Sequence, residues 1–408
     1  MFNFFKTKII SNKILIAAGG TGGHIIPALV IADLFLQKDC QVLFVTDDRF
    51  DNYGKNFMQI CRHKNFTIKY IKIPKHQNIH IQKIIRGCYA IVSIIKLSKL
   101  IFKHNIKTVL GFGSYVSLPS IIAGWLIGRK TFIHEQNSYM GLANRVSMFF
   151  VKLAMLSFPK TSGIPRLFKH KTVISGFPIR QEIKDLHYHN IIETINYNAF
   201  FTIHNLITIV VIGGSQGAKS FQDIIPMAIS LMHPSVKEKI QIYHQTTKDD
   251  MQRTKDFYKK NNIKCFVDSF FVNAPELMSK AHVVIARSGA GTIFEIITLG
   301  TPAILIPYPF ATNDHQLKNA LFMQNNGAAI VVEQQDLTSQ KIADILIRIF
   351  NDPHDMAKLS HNAKQLASIN SDVKIVRSIE IMVGKLGNDL PEKVKSANHL
   401  IETNVAIG

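Results

Sequence analysis

The sequence has few cysteines, few acidic residues and no long uninterrupted run of apolar residues. Its four cysteines are scattered over 408 residues, without a CxxC pair or a metal-ligand spacing. This distribution argues against structural disulfides and zinc sites and favours a reducing compartment. No stretch reaches the roughly 18 consecutive apolar residues of a membrane-spanning helix. We therefore expect any membrane contact to be peripheral.

The N-terminal segment superficially resembles a secretion signal. Its apolar run, Ile14–Ala18, is only about one strand long and leads directly into a glycine-rich turn. No small-residue cleavage site precedes this turn, so we predict no signal peptide.

The length and charge balance narrow the class of protein further. At 408 residues and 46.0 kDa the chain is too long for one ordinary core, so two domains are expected. Lysine and arginine total 48 against 28 acidic residues, a formal net charge of +20. This excess suits nucleic acid, an anionic membrane or phosphorylated substrates. A genome-wide bias towards lysine, isoleucine and asparagine explains it equally well, so charge alone identifies no partner.

Predicted strands and helices alternate along the first half of the chain. The apolar runs that predict strands are Lys13–Ala18, Gln41–Thr46, Phe66–Ile73, Thr108–Phe112 and Thr131–His134. Helical patterns cover Pro27–Phe35 and Leu118–Ile127. Alternation of this kind predicts parallel strands joined by crossover helices.

The same alternation restarts after a polar stretch, Gln181–Asn205, which we interpret as a linker with some local structure. A helical pattern covers Ala218–Leu231, and an amphipathic one covers Val373–Leu386. The strand candidates of this half are Ile207–Gly214, Ile240–Gln245, Cys265–Phe270, Val283–Ala286 and Ala303–Pro307. The sequence therefore predicts an α/β protein of two doubly wound, Rossmann-like domains. Ligands are expected in the cleft between them, at the carboxyl ends of the strands.

Each half opens with a strand, a glycine-rich loop and a helix. The two loops are AAGGTGGHIIPA, Ala17–Ala28, and IGGSQGAKS, Ile212–Ser220. Glycines let backbone amides approach an oxyanion closely, and the following helix adds free N–H groups and the positive end of its dipole. One such loop is weak evidence, but two in matching positions favour phosphate binding.

Neither loop matches a common nucleotide fingerprint. Both fail the G-x-G-x-x-G spacing of dinucleotide-binding proteins, and neither ends in the Gly-Lys-Ser/Thr of a P-loop. ATP hydrolysis is therefore not expected. Asp47 lies where a ribose-binding acid could follow the first loop, which leaves an oxidoreductase as a rival hypothesis.

Further motifs follow the first loop, GGTGGHIIPA, in a fixed order. They are HEQN (134–137) with GLANR (141–145), GFPIR (176–180), GGSQGA, RSGAGTIFE (287–295) and DHQ (314–316). Over roughly residues 13 to 350 this series closely resembles glycosyltransferase family 28. The resemblance implies the two-domain GT-B fold. We place an acceptor- and membrane-binding domain at residues 1–180, a UDP-GlcNAc-binding domain at 181–370, and a C-terminal helix with a tail, expected to be disordered, at 371–408.

The resemblance also implies an activity. It is the inverting transfer of N-acetylglucosamine from UDP-GlcNAc to the 4-hydroxyl of MurNAc in undecaprenyl-pyrophosphoryl-MurNAc-pentapeptide (lipid I), at the cytoplasmic face of the bacterial inner membrane. Two alternatives stay open: another lipid-directed transferase, such as a diacylglycerol glycosyltransferase, and a non-enzymatic nucleotide-binding protein. No nucleic-acid partner is expected, because the basic residues lack the aromatic-flanked motifs of RNA-binding domains.

The resemblance assigns the first loop to the diphosphates of donor and acceptor, through Thr21, Gly22 and Gly23. His24 is the candidate general base, since histidine titrates near working pH. Its alternative role is simple packing at the start of a helix. His134 and Glu135 are equally compatible with a structural hydrogen-bonded pair and with direct catalysis.

The donor residues implied by the family lie in both halves. Asn137 and Arg180 are expected to contact the sugar nucleotide, and Ser215 to bind a donor phosphate with the amides of Gln216 and Gly217.

The remaining donor contacts implied by the family follow in the second half. Phe271 falls at the uracil position, Glu295 at the ribose hydroxyls, and Gln316, or its neighbour His315, at the GlcNAc moiety. The loop and helix start beside the nucleotide consist of Gly289, Ala290, Gly291, Thr292, Ile293 and Phe294.

No cofactor or protein-bound metal is expected, because the adjacent acids Asp47–Asp48 and Asp249–Asp250 have no partner constellation of the DxD kind. The segment Ile79–Lys107 mixes apolar and basic residues and is a candidate membrane-facing patch, or else a helix that packs on the sheet. Ser138–Met140 departs from the small or proline-containing stretch that is frequent after HEQN in this family.

Overall fold

The computed structural model describes residues 13–51, 66–71, 79–192, 206–213 and 219–384. The first glycine-rich loop lies within these ranges. Gly214 to Ala218 of the second loop lie outside them, as does the tail after residue 384 that was predicted to be disordered.

The first sheet has seven parallel strands in the order β3-β2-β1-β4-β5-β6-β7. The strands are β1 Lys13–Ala17, β2 Gln41–Thr46, β3 Phe66–Tyr70, β4 Thr108–Gly111, β5 Lys130–Glu135, β6 Leu153–Leu156 and β7 Thr172–Ile174. The helices around it are α1 Gly22–Gln37, α2 Ile79–Lys103, α3 Ser114–Leu126 and α4 Leu142–Ser147. Its central strands are covered on both faces, which explains their nearly continuous apolar sequences.

The second sheet has six parallel strands in the order β10-β9-β8-β11-β12-β13. The strands are β8 Ile207–Ile212, β9 Ile240–Gln245, β10 Lys264–Asp268, β11 Val283–Ala286, β12 Ala303–Leu305 and β13 Ile330–Val331. The helices of this half are α5 Gln181–Ile192, α6 Phe221–Ser230, α7 Pro234–Lys237, α8 Met251–Lys260, α9 Ala274–Ser279, α10 Ala290–Leu299, α11 His315–Asn325, α12 Ser339–Asn351 and α13 Pro353–Gln365. The predicted fold class, two Rossmann-like sheets, is confirmed.

Two boundaries differ from the sequence prediction. Helix α1 begins at Gly22 and not at Pro27, because burial of Ile25 and the following apolar residues outweighs the low helix propensity of glycine. The start of the predicted linker is the helix α5. Two of its polar residues are buried and paired: Lys184 Nζ lies 2.6 Å from Asp372 Oδ2, and His187 Nδ1 lies 2.5 Å from the Thr298 carbonyl.

The final helix, α14 (Ser371–Val383), returns from the second half of the chain to the first. Ile375, Val376 and Ile379 are buried in the core that α1 shares with the first sheet. At its far end Lys38 Nζ contacts Glu380 Oε1 at 2.8 Å. The amphipathic helix predicted at 373–386 is therefore a packing element that ties the last segment to the first sheet.

Candidate active site

The first glycine-rich loop connects β1 to α1 and is shaped by a buried carboxylate. Asp47, directly after β2, is fully buried and accepts a hydrogen bond from the Gly20 N–H at 3.0 Å. A Cβ on Gly19 would lie 2.5 Å from Asp47 Oδ2, and Gly20 has φ of +92°, so both positions require glycine. Arg49 binds the same carboxylate. Because Asp47 is enclosed and engaged in this way, it is unsuited to the ribose role of the oxidoreductase hypothesis.

His24 lies in the first turn of α1, where the loop ends. Its ring packs on Gly113, since a Cβ added there would lie 3.4 Å from Nε2, and its Nδ1 is 3.4 Å from the Thr21 hydroxyl. Burial, together with the nearby charges of His315 and Arg49, lowers the pKa of His24 from 6.5 to about 4. The imidazole is therefore neutral at physiological pH and able to accept a proton.

His134 and Glu135 end β5 and are both buried. The Glu135 carboxylate accepts hydrogen bonds from the Asn137 N–H (3.1 Å), the Gly141 N–H (3.0 Å) and Asn144 Nδ2 (2.8 Å). Burial raises the pKa of Glu135, and these three donors oppose the shift. His134 Nε2 lies 3.0 Å from the Gly176 carbonyl, and burial lowers its pKa to about 4. This geometry favours the structural alternative, in which the pair shapes the loop that carries Asn137.

Asn319, which the sequence analysis did not single out, joins the two halves of the cleft. Its Oδ1 accepts hydrogen bonds from the Ser138 N–H and hydroxyl, each at 2.9 Å. Its Nδ2 donates to Asn137 Oδ1 and to the Ser288 carbonyl, each at 3.1 Å. One fully buried amide thus holds the loop after β5 against the loop before α10.

Replacing Asn319 by alanine should lower the free energy of unfolding by about 2–4 kcal/mol, because it leaves several buried polar groups without a partner. Because Asn137 is expected from the sequence to contact the sugar nucleotide, the loss of its support should also weaken donor binding. Urea unfolding and the KM for the donor are the measurements. Asn326→Ala is the matched control, because its amide bonds only the Phe322 carbonyl at an exposed position. An Asn319→Ala protein as stable as this control would contradict the assignment.

Arg180 and Glu295, both predicted as donor residues, form an ion pair. Arg180 Nη2 lies 2.8 Å from Glu295 Oε1, and Arg180 Nη1 lies 2.5 Å from Glu182 Oε1. Glu295 is on α10, whereas Arg180 ends the segment between β7 and α5. The structure therefore brings together two residues that are far apart in the sequence, at a half-buried position.

Helix α10 begins directly after Gly289, which has extended backbone angles. Ala290, Gly291 and Thr292 form its first turn, whose N–H groups have no intrahelical acceptor and can face an anion. Ile293 and Phe294 are buried, and the Phe294 ring stacks on Phe177 with centroids 5.1 Å apart. These two side chains serve the core, so only their backbone can approach a nucleotide.

Residues of the loop after β12 and the start of α11 lie beside this turn. Gln316 Oε1 accepts a hydrogen bond from the Tyr308 N–H at 3.1 Å, and its carbonyl accepts one from the Ser288 hydroxyl at 2.7 Å. His315 Nδ1 lies 2.9 Å from the Thr312 carbonyl. Phe271 follows β10, and its ring packs edge-on against Tyr243.

Ser215 and Gln216 lie outside the described residues, but the edge of their loop is well defined. Arg287 Nη2 donates to the Ser220 hydroxyl (3.0 Å) and to Gln334 Oε1 (2.8 Å), and its Nη1 donates to the Ile306 carbonyl at 3.0 Å. Burial lowers the pKa of Arg287 to about 10. The sequence analysis quoted Arg287 only as part of a motif, whereas the structure shows that it binds Ser220, where the second loop ends.

These features define a class of protein. The first Rossmann-like half contributes a glycine-rich loop and a neutral histidine, and helix α1 after this loop contacts α10, whose N-terminus belongs to the second half. This is the GT-B arrangement of glycosyltransferases that use nucleotide sugars.

Comparison with known proteins identifies the family. Residues 14–156 match the glycosyltransferase family 28 N-terminal domain and residues 208–374 match its C-terminal domain, so the chain belongs to this family. A relative from Paramagnetospirillum magneticum is 31% identical over 92% of this chain and 97% of its own length. One from Rickettsia akari is 31% identical over 86% and 93%. Both are named UDP-N-acetylglucosamine–N-acetylmuramyl-(pentapeptide) pyrophosphoryl-undecaprenol N-acetylglucosamine transferase.

A solved structure agrees with this result. MurG of Acinetobacter baumannii superimposes with a TM-score of 0.69 at 25% identity, over 91% of this chain and 99% of that protein. The family assignment therefore rests on the sequence and on the fold together.

Proposed function

We propose that this chain transfers N-acetylglucosamine from UDP-GlcNAc to the 4-hydroxyl of MurNAc in undecaprenyl-pyrophosphoryl-MurNAc-pentapeptide. Membership of family 28 and the names of its relatives support this activity. The observation that carries it is the position of His24, a neutral imidazole at the end of the first loop and across the cleft from the start of α11. In this proposal the acceptor hydroxyl lies beside His24 when it attacks the donor sugar.

The reaction is a single inverting displacement. The acceptor oxygen forms a bond to the anomeric carbon from the face opposite UDP, and the bond from that carbon to the UDP oxygen breaks. His24 accepts the hydroxyl proton as general base. The N–H groups at the start of α10, with Ser215 and Gln216, stabilise the negative charge that develops on the leaving diphosphate.

The remaining residues divide between nucleotide and sugar. Glu295 accepts hydrogen bonds from the ribose hydroxyls, and a carboxylate is suited to binding two of them. Arg180, the basic partner of Glu295 in the ion pair, also binds the donor. Phe271 contacts uracil, Asn137 contacts the sugar nucleotide, and Gln316, or its neighbour His315, contacts the GlcNAc moiety.

In this proposal residues 1–180 bind the acceptor and the membrane, and residues 181–370 bind UDP-GlcNAc. Thr21, Gly22 and Gly23 bring backbone groups to the diphosphates of both donor and acceptor. Residues 371–408 provide the returning helix and a tail. The product is released at the cytoplasmic face of the inner membrane.

Helix α2 supplies the surface for peripheral membrane contact. Among the described residues, no helix is both long enough and apolar enough to cross a bilayer. Leu97 and Ile101 of α2 face the core, whereas Ile91, Ile95 and Phe102 are exposed, and Phe102 is 72% exposed. Exposed lysines interleave with these apolar side chains, namely Lys96, Lys99 and Lys103. Such a surface suits an anionic bilayer, to which each basic residue contributes about 1 kcal/mol.

Replacing Lys96, Lys99 and Lys103 by glutamate should lower co-sedimentation with anionic liposomes by at least tenfold, because three attractive charges become repulsive. The matched control is the same change at Lys255, Lys259 and Lys260, which are exposed on α8 in the second half. If the α2 variant bound anionic liposomes as well as the wild type does, α2 would be excluded as the docking surface.

A ligand titration tests the proposed function against its alternatives. We expect UDP and UDP-GlcNAc to bind and NAD not to bind. Transfer should then occur to a lipid I analogue and not to diacylglycerol. Transfer to diacylglycerol alone would favour the other lipid-directed transferase, and NAD binding without UDP binding would overturn the proposal.

A further inference from the structure

The carboxylate of Asp47 holds Arg49 as well as the first glycine-rich loop. Arg49 donates from Nε to Asp47 Oδ1 at 3.1 Å and from Nη2 to Asp47 Oδ2 at 2.6 Å. The Arg49 N–H donates to Oδ1 at 3.1 Å as well. This two-pronged pairing fixes the plane of the guanidinium, which a single contact would leave free to rotate.

Asp47 thereby couples the position of the guanidinium to the shape of the loop. The same Oδ2 atom that binds Arg49 Nη2 also accepts the Gly20 N–H. A Cβ placed on Gly20 would lie 3.7 Å from Nη2 and 3.8 Å from the guanidinium carbon. The cation therefore lies directly beside the backbone of Gly20, within one loop of the first turn of α1.

Arg49 is also accessible and close to the candidate base. Its side chain is 45% exposed although its partner Asp47 is fully buried. Its charge contributes to the low pKa of His24. A solvent-exposed ion pair between arginine and an acid usually contributes little to the stability of the fold and has no further role. Here the acid is buried beneath a glycine loop, so the pairing holds the cation beside the backbone of the loop that leads into α1.

We propose that Arg49 binds the diphosphate of the lipid-linked acceptor. This inference rests on the proposed function and adds to it the residue that recognises the acceptor anion. A guanidinium with a fixed plane suits phosphate oxygens, and the adjacent loop and helix N-terminus favour the same anion. Ser215, Gln216 and the start of α10, which are proposed to stabilise the leaving diphosphate of the donor, belong to the second half of the chain. Arg49 belongs to the first, with the acceptor.

Steady-state kinetics of the full chain with UDP-GlcNAc and a soluble lipid I analogue test the proposal. Arg49→Gln should raise the KM for the acceptor at least tenfold and leave the KM for UDP-GlcNAc within twofold, because a charge-assisted contact is lost on one side only. The acceptor KM of Arg49→Lys should lie between those of the wild type and Arg49→Gln, since lysine keeps the charge and loses the two-pronged geometry. The matched control is Arg166→Gln, which replaces an exposed arginine of the first domain. This variant should have an unchanged acceptor KM.

Inorganic pyrophosphate provides a second probe. It should inhibit competitively with the acceptor, with an inhibition constant at least tenfold higher for Arg49→Gln than for the wild type. An acceptor KM within twofold of the wild type, or an equal rise in the donor KM, would overturn the assignment of Arg49. Failure of the wild-type protein to transfer the sugar at all would instead overturn the proposed function.

Discussion

Replacing His24 by glutamine is expected to lower kcat for sugar transfer by roughly 10²- to 10⁴-fold, the usual contribution of a general base. Glutamine keeps a polar side chain of similar reach at the start of α1, but it cannot take the hydroxyl proton. The KM for UDP-GlcNAc should change by less than threefold, because His24 lies on the acceptor side. Single-turnover rates with a lipid I analogue measure the effect on the chemical step.

The pH dependence gives this prediction a sharper form. The pKa of His24 is about 4, so the acid limb of kcat/KM should have its midpoint near pH 4 and not near 6.5. The unfolded chain has the higher histidine pKa, so protonation opposes folding progressively below about pH 6.5. Each rate must therefore be recorded together with circular dichroism, so that acid unfolding is separated from loss of the base.

His170→Gln is the matched control, because His170 is an exposed histidine of the same domain. Its kcat should equal that of the wild type. If His24→Gln retained more than a tenth of the wild-type kcat with its fold intact, another group would have to serve as the base.

Replacing Glu295 by glutamine should raise the KM for UDP-GlcNAc about tenfold to a hundredfold. Hydrogen bonds to a charged group contribute about 1.5–3 kcal/mol, and the neutral amide accepts them more weakly. The change also removes the acidic partner that lies 2.8 Å from Arg180, so the side chain of Arg180 loses its orientation towards the donor. The KM for the acceptor should stay within twofold.

The ribose hydroxyls can be tested directly by comparing UDP with 2′-deoxy-UDP in calorimetric titrations. The wild-type protein should prefer UDP, and Glu295→Gln should bind the two with nearly equal affinity. Glu276→Gln, on the short helix α9, is the matched control because its exposed carboxylate forms an ion pair with the exposed Lys280. Unchanged discrimination by Glu295→Gln would exclude Glu295 as the ribose ligand.

The bounds of three inner strands were predictable from the sequence. Gln41–Thr46 and Val283–Ala286 are almost continuously apolar, as strands covered on both faces must be. Ile240–Gln245 shows instead the alternation of a strand that is more deeply buried on one face. The strands β6, β7 and β13 were not predicted. They have two to four residues each, which is too short for a pattern to separate from a loop.

The residues of the functional site also divide into those that local sequence indicates and those that only the fold brings together. The glycine-rich loops, His24 and the ordered motifs are local features, since glycine and helix-start chemistry depend on a few neighbouring residues, and the sequence by itself determined them. With them it determined the fold class and the family. It also placed Arg180 and Glu295 among the candidates, although nothing local indicated that they form one pair.

Only the tertiary structure decided how the buried polar groups are satisfied. Asp47 resembled a ribose-binding acid in the sequence and is instead the support of the first loop. Asn319 resembled an ordinary helix residue and is the amide that joins the two halves of the cleft. A buried polar side chain must find its partner wherever the fold brings one, and these partners lie 27 residues away for Asp47 and Gly20, and 181 for Asn319 and Ser138. No local pattern contains that information.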